Sequence, residues 1–189
     1  MEKQVRLSVL SVALILAALA NLVSSSTSLA ASASEIRRDS RQALTTLYQT
    51  TPGARALADQ AKGILVFPSI IKGGLIVAGQ YGDGELQKNG KIAGYYRSIE
   101  ASVGLQAGAQ SFGYVLFFMD NASLKYLNKS EGWELGTGPT LVVLDKGFEK
   151  NLTTTTLQKG VYAFVFNQKG LMGGINIAGS KITRIHPGK

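Results

Sequence analysis

The chain has one histidine, His186, and no cysteine. A Ser/His/Asp triad would need that imidazole held rigidly beside a nucleophile, and a residue three positions from the end next to Pro187 has no such support. Transition-metal sites lose their usual imidazole and thiolate ligands by the same count. The carboxylates available for acid–base work, Glu100, Asp120, Glu134 and Asp145, have no spacing that brings two of them together. Asp83 and Glu85 sit in a GDGE stretch that reads as a turn before it reads as a calcium site. Gly90-Lys91 is followed by Ile92, so no phosphate loop forms there. Neither catalysis nor a metal or cofactor is expected.

Lys72 is the residue whose surroundings ask for a reason. It lies in AKGILVFPSIIKGGLIVAGQYGDGEL (61–86), between Ile71 and Gly73-Gly74, in a segment otherwise apolar or glycine. A lone ammonium is costly to bury. The expectation is a bend, with the glycine pair presenting Lys72 and freed backbone amides to an anion, and with Ile70 and Ile71 beside it.

The elements that would position such a group follow from periodicity. Residues 34–50 read as an amphipathic helix capped by Ser34, with Ile36, Ser40, Ala43, Leu44 and Leu47 on one face and Arg37, Arg38 and Arg41 off it. Pro52 restarts a second helix that ends at Lys62-Gly63, glycine taking the left-handed form. Strands are expected at 64–67, 75–81, 92–97, 101–109, 114–119, 140–144, 161–166, 171–178 and 181–185. Turns are expected at 82–84, Asn89-Gly90 and 167–170. Asp120 is placed to cap one short helix over 121–129. The fold class is α+β: a strongly curved antiparallel sheet or partial barrel with two N-terminal helices packed against it.

Residues 1–33 hold Lys3 and Arg6, an apolar run over 7–20, and Ala31-Ser32-Ala33. That order is a signal peptide cleaved near Ala33, and a run of 14 is short for a membrane span. Residues 34–189 then form one domain, with 18 basic and 11 acidic residues and a net charge of +7. Such a charge favours anionic partners. Export points to a periplasmic or envelope location and away from nucleic acid. With no cysteine, lipoprotein attachment is excluded. A small outer-membrane barrel is a further alternative, disfavoured because strands 64–67 and 114–119 do not alternate.

Three blocks carry a family resemblance. AKGILVFPSIIKGG resembles the A-K-G-I-x-V-F-P-x-x-x-K-G-G opening of the SYLF domain, GLQAGAQSFGYVLFFM its G-x-Q-x-G-A-Q block, and NQKGLMGGINIAGSKI its closing block. They occur in family order and cover about 54–185. The resemblance implies a non-catalytic lipid-binding module. Eukaryotic members bind phosphoinositides, and some bind actin; bacterial members are small exported proteins. For this chain it implies an anionic phospholipid membrane as partner, with actin only by family analogy and a structural envelope role through protein contacts as the alternative. The expected lipid-binding residues are Arg37, Arg38, Arg41, Arg55, Lys62, Lys72, Gly73 and Gly74. Ile70 and Ile71 are expected to insert, helped by Ile36 or Leu44.

Overall fold

Helix α1 (Ala33–Thr50) forms because its apolar residues recur every three or four positions; Ile36, Ser40, Ala43, Leu44 and Leu47 are buried as one stripe. In the computed structural model, which describes residues 31–74, 77–103, 108–129, 131–144, 159–170 and 175–188, Ser32 caps this helix. Its hydroxyl accepts from the Glu35 N–H at 3.3 Å, and the Glu35 carboxylate accepts from the Ser32 N–H at 2.8 Å. This reciprocal box starts the helix ahead of the expected cap, Ser34. Helix α2 (Pro52–Gln60) begins on a proline whose missing N–H is harmless in a first turn, and buries Ala54 and Leu57. It ends at Ala61 in extended backbone. Gly63 is therefore no left-handed helix stop but the first residue of a strand.

The eight strands are β1 (Gly63–Gly74), β2 (Val77–Lys88), β3 (Lys91–Val103), β4 (Gly108–Phe118), β5 (Trp133–Glu134), β6 (Leu141–Leu144), β7 (Val161–Gly170) and β8 (Lys181–Ile185). They form one sheet in the order β5-β8-β3-β2-β1-β4-β7-β6. Every pairing is antiparallel except β6 with β7 at one edge. The sheet curls into a half-barrel with the two helices against it. The curl is tight enough that Tyr114 of β4 donates its hydroxyl to Ser98 of β3 at 2.8 Å, although β1 and β2 lie between those strands.

Each face of the sheet has its own core. The inner face buries Leu65, Phe67, Ile70, Tyr114, Leu116 and Phe118 with Trp133. Helix α3 (Asn121–Leu124) and the 3₁₀ turn Lys125–Asn128 add Leu124 and Leu127 to it. Asp120 caps α3, accepting from the Ser123 N–H at 2.7 Å, and also accepts from the Gly160 N–H at 2.8 Å where β7 begins. The outer face buries Val66, Val115, Phe117 and Phe164 against Leu44, Leu47 and Leu57 of α1 and α2.

The strands run longer than alternation suggested. Asn89-Gly90 does turn β2 into β3, both residues at positive φ. Gly82-Asp83-Gly84, expected as a turn, lies inside β2. Its glycines serve packing: a Cβ at Gly82 would collide with the Ser69 carbonyl, and one at Gly84 with the Val66 carbonyl. The expected turn at 167–170 is the end of β7, and Asn167 has positive φ there. Of the strand expected over 171–178, 171–174 lie outside the described residues, and 175–177 are not strand.

The expected bend at Lys72 is absent. The strand β1 runs straight through to Gly74, pairing with β2 on one side and β4 on the other. The irregularity lies earlier, at Pro68-Ser69, where the registers with both neighbours shift by one. Proline has no N–H for the ladder, and the bulge it forms adds one residue to β1. An added residue inverts the facing of everything after it. Phe67 and Ile70 thus both point inward, which sends Ile71 outward and Lys72 inward.

Candidate functional site

The residues expected to touch lipid separate into three groups. Arg37, Arg38 and Arg41 are exposed on α1, Arg38 bonded to Asp39 at 2.9 Å. Arg55 on α2 lies 3.5 Å from Asp59 and stacks over Tyr48, 5.3 Å from the ring centroid. Lys62 is exposed, with its N–H donating to the Phe118 carbonyl at 2.7 Å. These five cations stand at the helix-covered end. Lys72 does not join them: it is 9% exposed and faces the interior. Gly73 and Gly74 are strand residues paired with Gly79 and Ala78.

The expected inserting residues divide too. Ile71 is 64% exposed, whereas Ile70 is fully enclosed in the inner core and has no free surface for a membrane. Ile36 and Leu44 are spent in the stripe that buries α1.

The register builds an outward surface around Ile71 that single-strand reading missed. Ile71 pairs with Tyr81 of β2 and with Ser111 of β4. Tyr81 pairs with Ile99 of β3, Ile99 with Lys181 of β8, and Ser111 with Lys169 of β7. Directly paired residues share a face. One continuous outer row therefore reads Lys181, Ile99, Tyr81, Ile71, Ser111, Lys169. Its centre is apolar and its two ends are exposed ammonium groups.

The neighbouring rows set this one in relief. Toward the β1–β2 end lie Ala101, Gly79, Gly73 and Ala109, all too small to shield it. Val77 beyond them is 63% exposed, and Ile99 is 46% exposed. On the other side Arg97 binds Asp83 with two contacts, 2.7 and 3.0 Å, and lies 4.8 Å from the Tyr81 ring centroid. The hydrogen bond to Asp83 raises the Arg97 pKa. Burial, together with the Asp83 carboxylate that accepts the Tyr81 hydroxyl at 3.0 Å, raises the phenol's pKa and keeps it neutral. The arrangement is an apolar patch with fixed polar edges.

Acid–base candidates are not brought together. Asp120 is occupied as a cap, Glu134 and His186 are exposed and apart, and Asp145 lies outside the described residues. Among the described residues no group of three or more His, Asp or Glu could hold a metal ion.

A family model described as Ysc84, Las17-binding protein actin regulator, matches residues 99–186. This is the SYLF family that the three sequence blocks resemble, matched here over residues 99–186. The matched stretch begins at Ile99 and runs through β8, and so includes Ser111, Lys169 and Lys181 of the outer row. Strands β1 and β2 precede it in sequence yet lie between β3 and β4 in the sheet, so they belong to one sheet with the matched strands. No curated protein matches the chain.

Proposed function

We propose that this SYLF domain binds anionic phospholipid membranes peripherally, without catalysis, through the bare part of its outer sheet face. The observation that carries this reading is the row Lys181–Ile99–Tyr81–Ile71–Ser111–Lys169. A flanking lysine near an anionic surface contributes roughly 1 kcal/mol, and a half-exposed isoleucine gains on the order of 1 kcal/mol on insertion. The lysine stems lie along the interface while their ammonium groups reach phosphates. Together these terms give weak, reversible, salt-sensitive attachment. Arg37, Arg38, Arg41, Arg55 and Lys62 add longer-range attraction. Among the described residues no helix is long and apolar enough to cross a membrane.

The family description names Las17 binding and actin regulation. The export reading of residues 1–33 favours lipid over actin for this chain and places it in the periplasm or envelope. Cleavage near Ala33, at the Ala31-Ser32-Ala33 motif, belongs to the same reading. Mass spectrometry of the mature N-terminus reads this directly, and an intact Met1 start would overturn it.

Co-sedimentation with vesicles tests the membrane reading. Binding is expected to phosphatidylglycerol-containing vesicles, not to neutral phosphatidylcholine, and to weaken with salt. The pair Lys169→Ala and Lys181→Ala should weaken it about thirtyfold, the equivalent of 2 kcal/mol. The pair Ile71→Ser and Ile99→Ser should weaken it similarly. Equal binding to neutral vesicles, or indifference to both pairs, would overturn the proposal.

A further inference from the structure

One row deeper, on the inner face, a second set of residues lines up. Lys72 pairs with Gln80 of β2 and with Gln110 of β4, and Gln80 pairs with Glu100 of β3. The inner row is therefore Glu100, Gln80, Lys72, Gln110. Gln80 and Gln110 are each 3% exposed. Gln80 donates through Nε2 to the Ser180 hydroxyl at 2.7 Å, and Ser180 donates to Glu100 at 3.1 Å. Beyond that chain the polarity is unspent. Gln80 Oε1 and both amide atoms of Gln110 have no hydrogen-bond partner. No ion pair or hydrogen bond holds the Lys72 ammonium among the described residues.

Buried polar groups are ordinarily satisfied, and a buried charge is ordinarily paired. Here three enclosed amide atoms and an ammonium lack a partner in one row, on a face that is otherwise a well-packed apolar core. We propose that this row is a ligand site inside the half-barrel, taking a hydroxyl-bearing phosphate ester. The phosphoryl oxygens accept from Lys72 and from Gln110 Nε2. A ligand hydroxyl donates to the amide oxygen of Gln80 or Gln110. Glu100, already held by Ser180, adds one negative charge at the far end of the row, which favours a singly charged diester. Gln80 and Gln110 flank Lys72 from the two neighbouring strands, and the inward curl of the sheet turns all three side chains toward one another. The site is separate from the outer row and does not depend on it.

The same chemistry comes free in solution or as the headgroup of a lipid, and the test separates the two. Titration calorimetry on the full chain uses glycerophosphoglycerol, with inorganic phosphate and glycerol as controls. If the free diester binds, Lys72→Met and Gln110→Leu should each weaken it about tenfold or more, the scale of hydrogen bonds to a charged group. If the headgroup is the source, Lys72→Met should weaken binding to phosphatidylglycerol vesicles about tenfold, but not to equally charged phosphatidic acid vesicles, which lack the hydroxyls. Either pattern supports the site. Lys72→Met removes an unpaired buried charge, so its melting temperature should equal or exceed that of the parent without ligand. Gln110→Leu supplies the same comparison should Lys72→Met fold poorly. Binding to both probes that is indifferent to Lys72 and Gln110, or no binding to either, would leave the row as a water-filled structural layer and overturn the proposal.

Discussion

Val66 and Ile71 belong to the same strand and the same outer face, but one is fully enclosed and the other is 64% exposed. Val66 lies beneath α1 and α2, in a core with Leu44, Leu57, Val115 and Phe117. Ile71 lies past the bulge, pairs with Tyr81 and Ser111, and belongs to neither buried cluster found among the described residues. The residue types are alike, so hydrophobicity alone does not decide the outcome. What decides it is whether another element reaches that part of the sheet. A covered apolar face is core, and the same kind of face left bare is exposed apolar surface.

Deleting Ser69 should break the comparison most severely. Removing the extra residue of the bulge would turn Ile71 inward and Lys72 outward, and would misplace every later side chain of β1. The expected loss is at least about 4 kcal/mol, enough to leave little folded protein in a urea titration. Next comes a matched pair of truncations. Phe117→Ala, under the helices, should cost about 3–5 kcal/mol. Ile71→Ala should change stability by no more than about 0.5 kcal/mol while weakening vesicle binding. Equal stability effects would show that the two halves are not differently covered.

A smaller effect tests the cover of the inner face. Burial pushes the Asp120 carboxyl up, but the hydrogen bonds from Gly160 and Ser123 outweigh this and hold its pKa below the ordinary value. A depressed folded pKa means stability that is present above the unfolded pKa and lost as pH falls through the folded one. Melting temperature should therefore drop as pH falls below about 4, and Asp120→Asn should flatten that part of the profile. At neutral pH the substitution should cost about 1 kcal/mol. The smallest effect belongs to Arg37, Arg38 and Arg41, which stand on the covered half. Replacing all three by alanine should weaken vesicle binding only about threefold, well short of the lysine pair, because charges set back from the surface are screened.

Much of the fold is legible in local sequence, because its signals are local. The buried stripe of α1 follows from helical spacing, the β2–β3 hairpin from Asn89-Gly90, and the α3 cap from Asp120. The α+β half-barrel follows from two helices ahead of glycine-rich strands, and the SYLF motifs point to the same family. The site is less legible. Its orientation turns on one residue at Pro68-Ser69, and alternation counted from Phe67 puts Ile71 inside and Lys72 outside. The Gly82-Asp83-Gly84 stretch has turn composition, but its glycines answer to carbonyls on a neighbouring strand. The outer row joins Lys181 to Lys169 through six strands in an order unlike their sequence order, and no single window contains it. A polar lysine after two apolar isoleucines was the one local hint, and the structure puts it on the inner face of β1 instead of at an exposed bend.

The backbone of Ala33 donates to the carbonyl of Gly188 at 3.1 Å, which brings the start of α1 and the end of the described chain to one point. Those ends are therefore not independent handles. A tether that fixes the start of α1 fixes the last residues of the chain in the same place, and a bulky fusion at either end occupies the exit of the other. The tip at Asn89-Gly90 is exposed and belongs to a simple hairpin. It is the place where the domain could be opened, with Ser32 and Gly188 joined by a short link, while every strand keeps its neighbours.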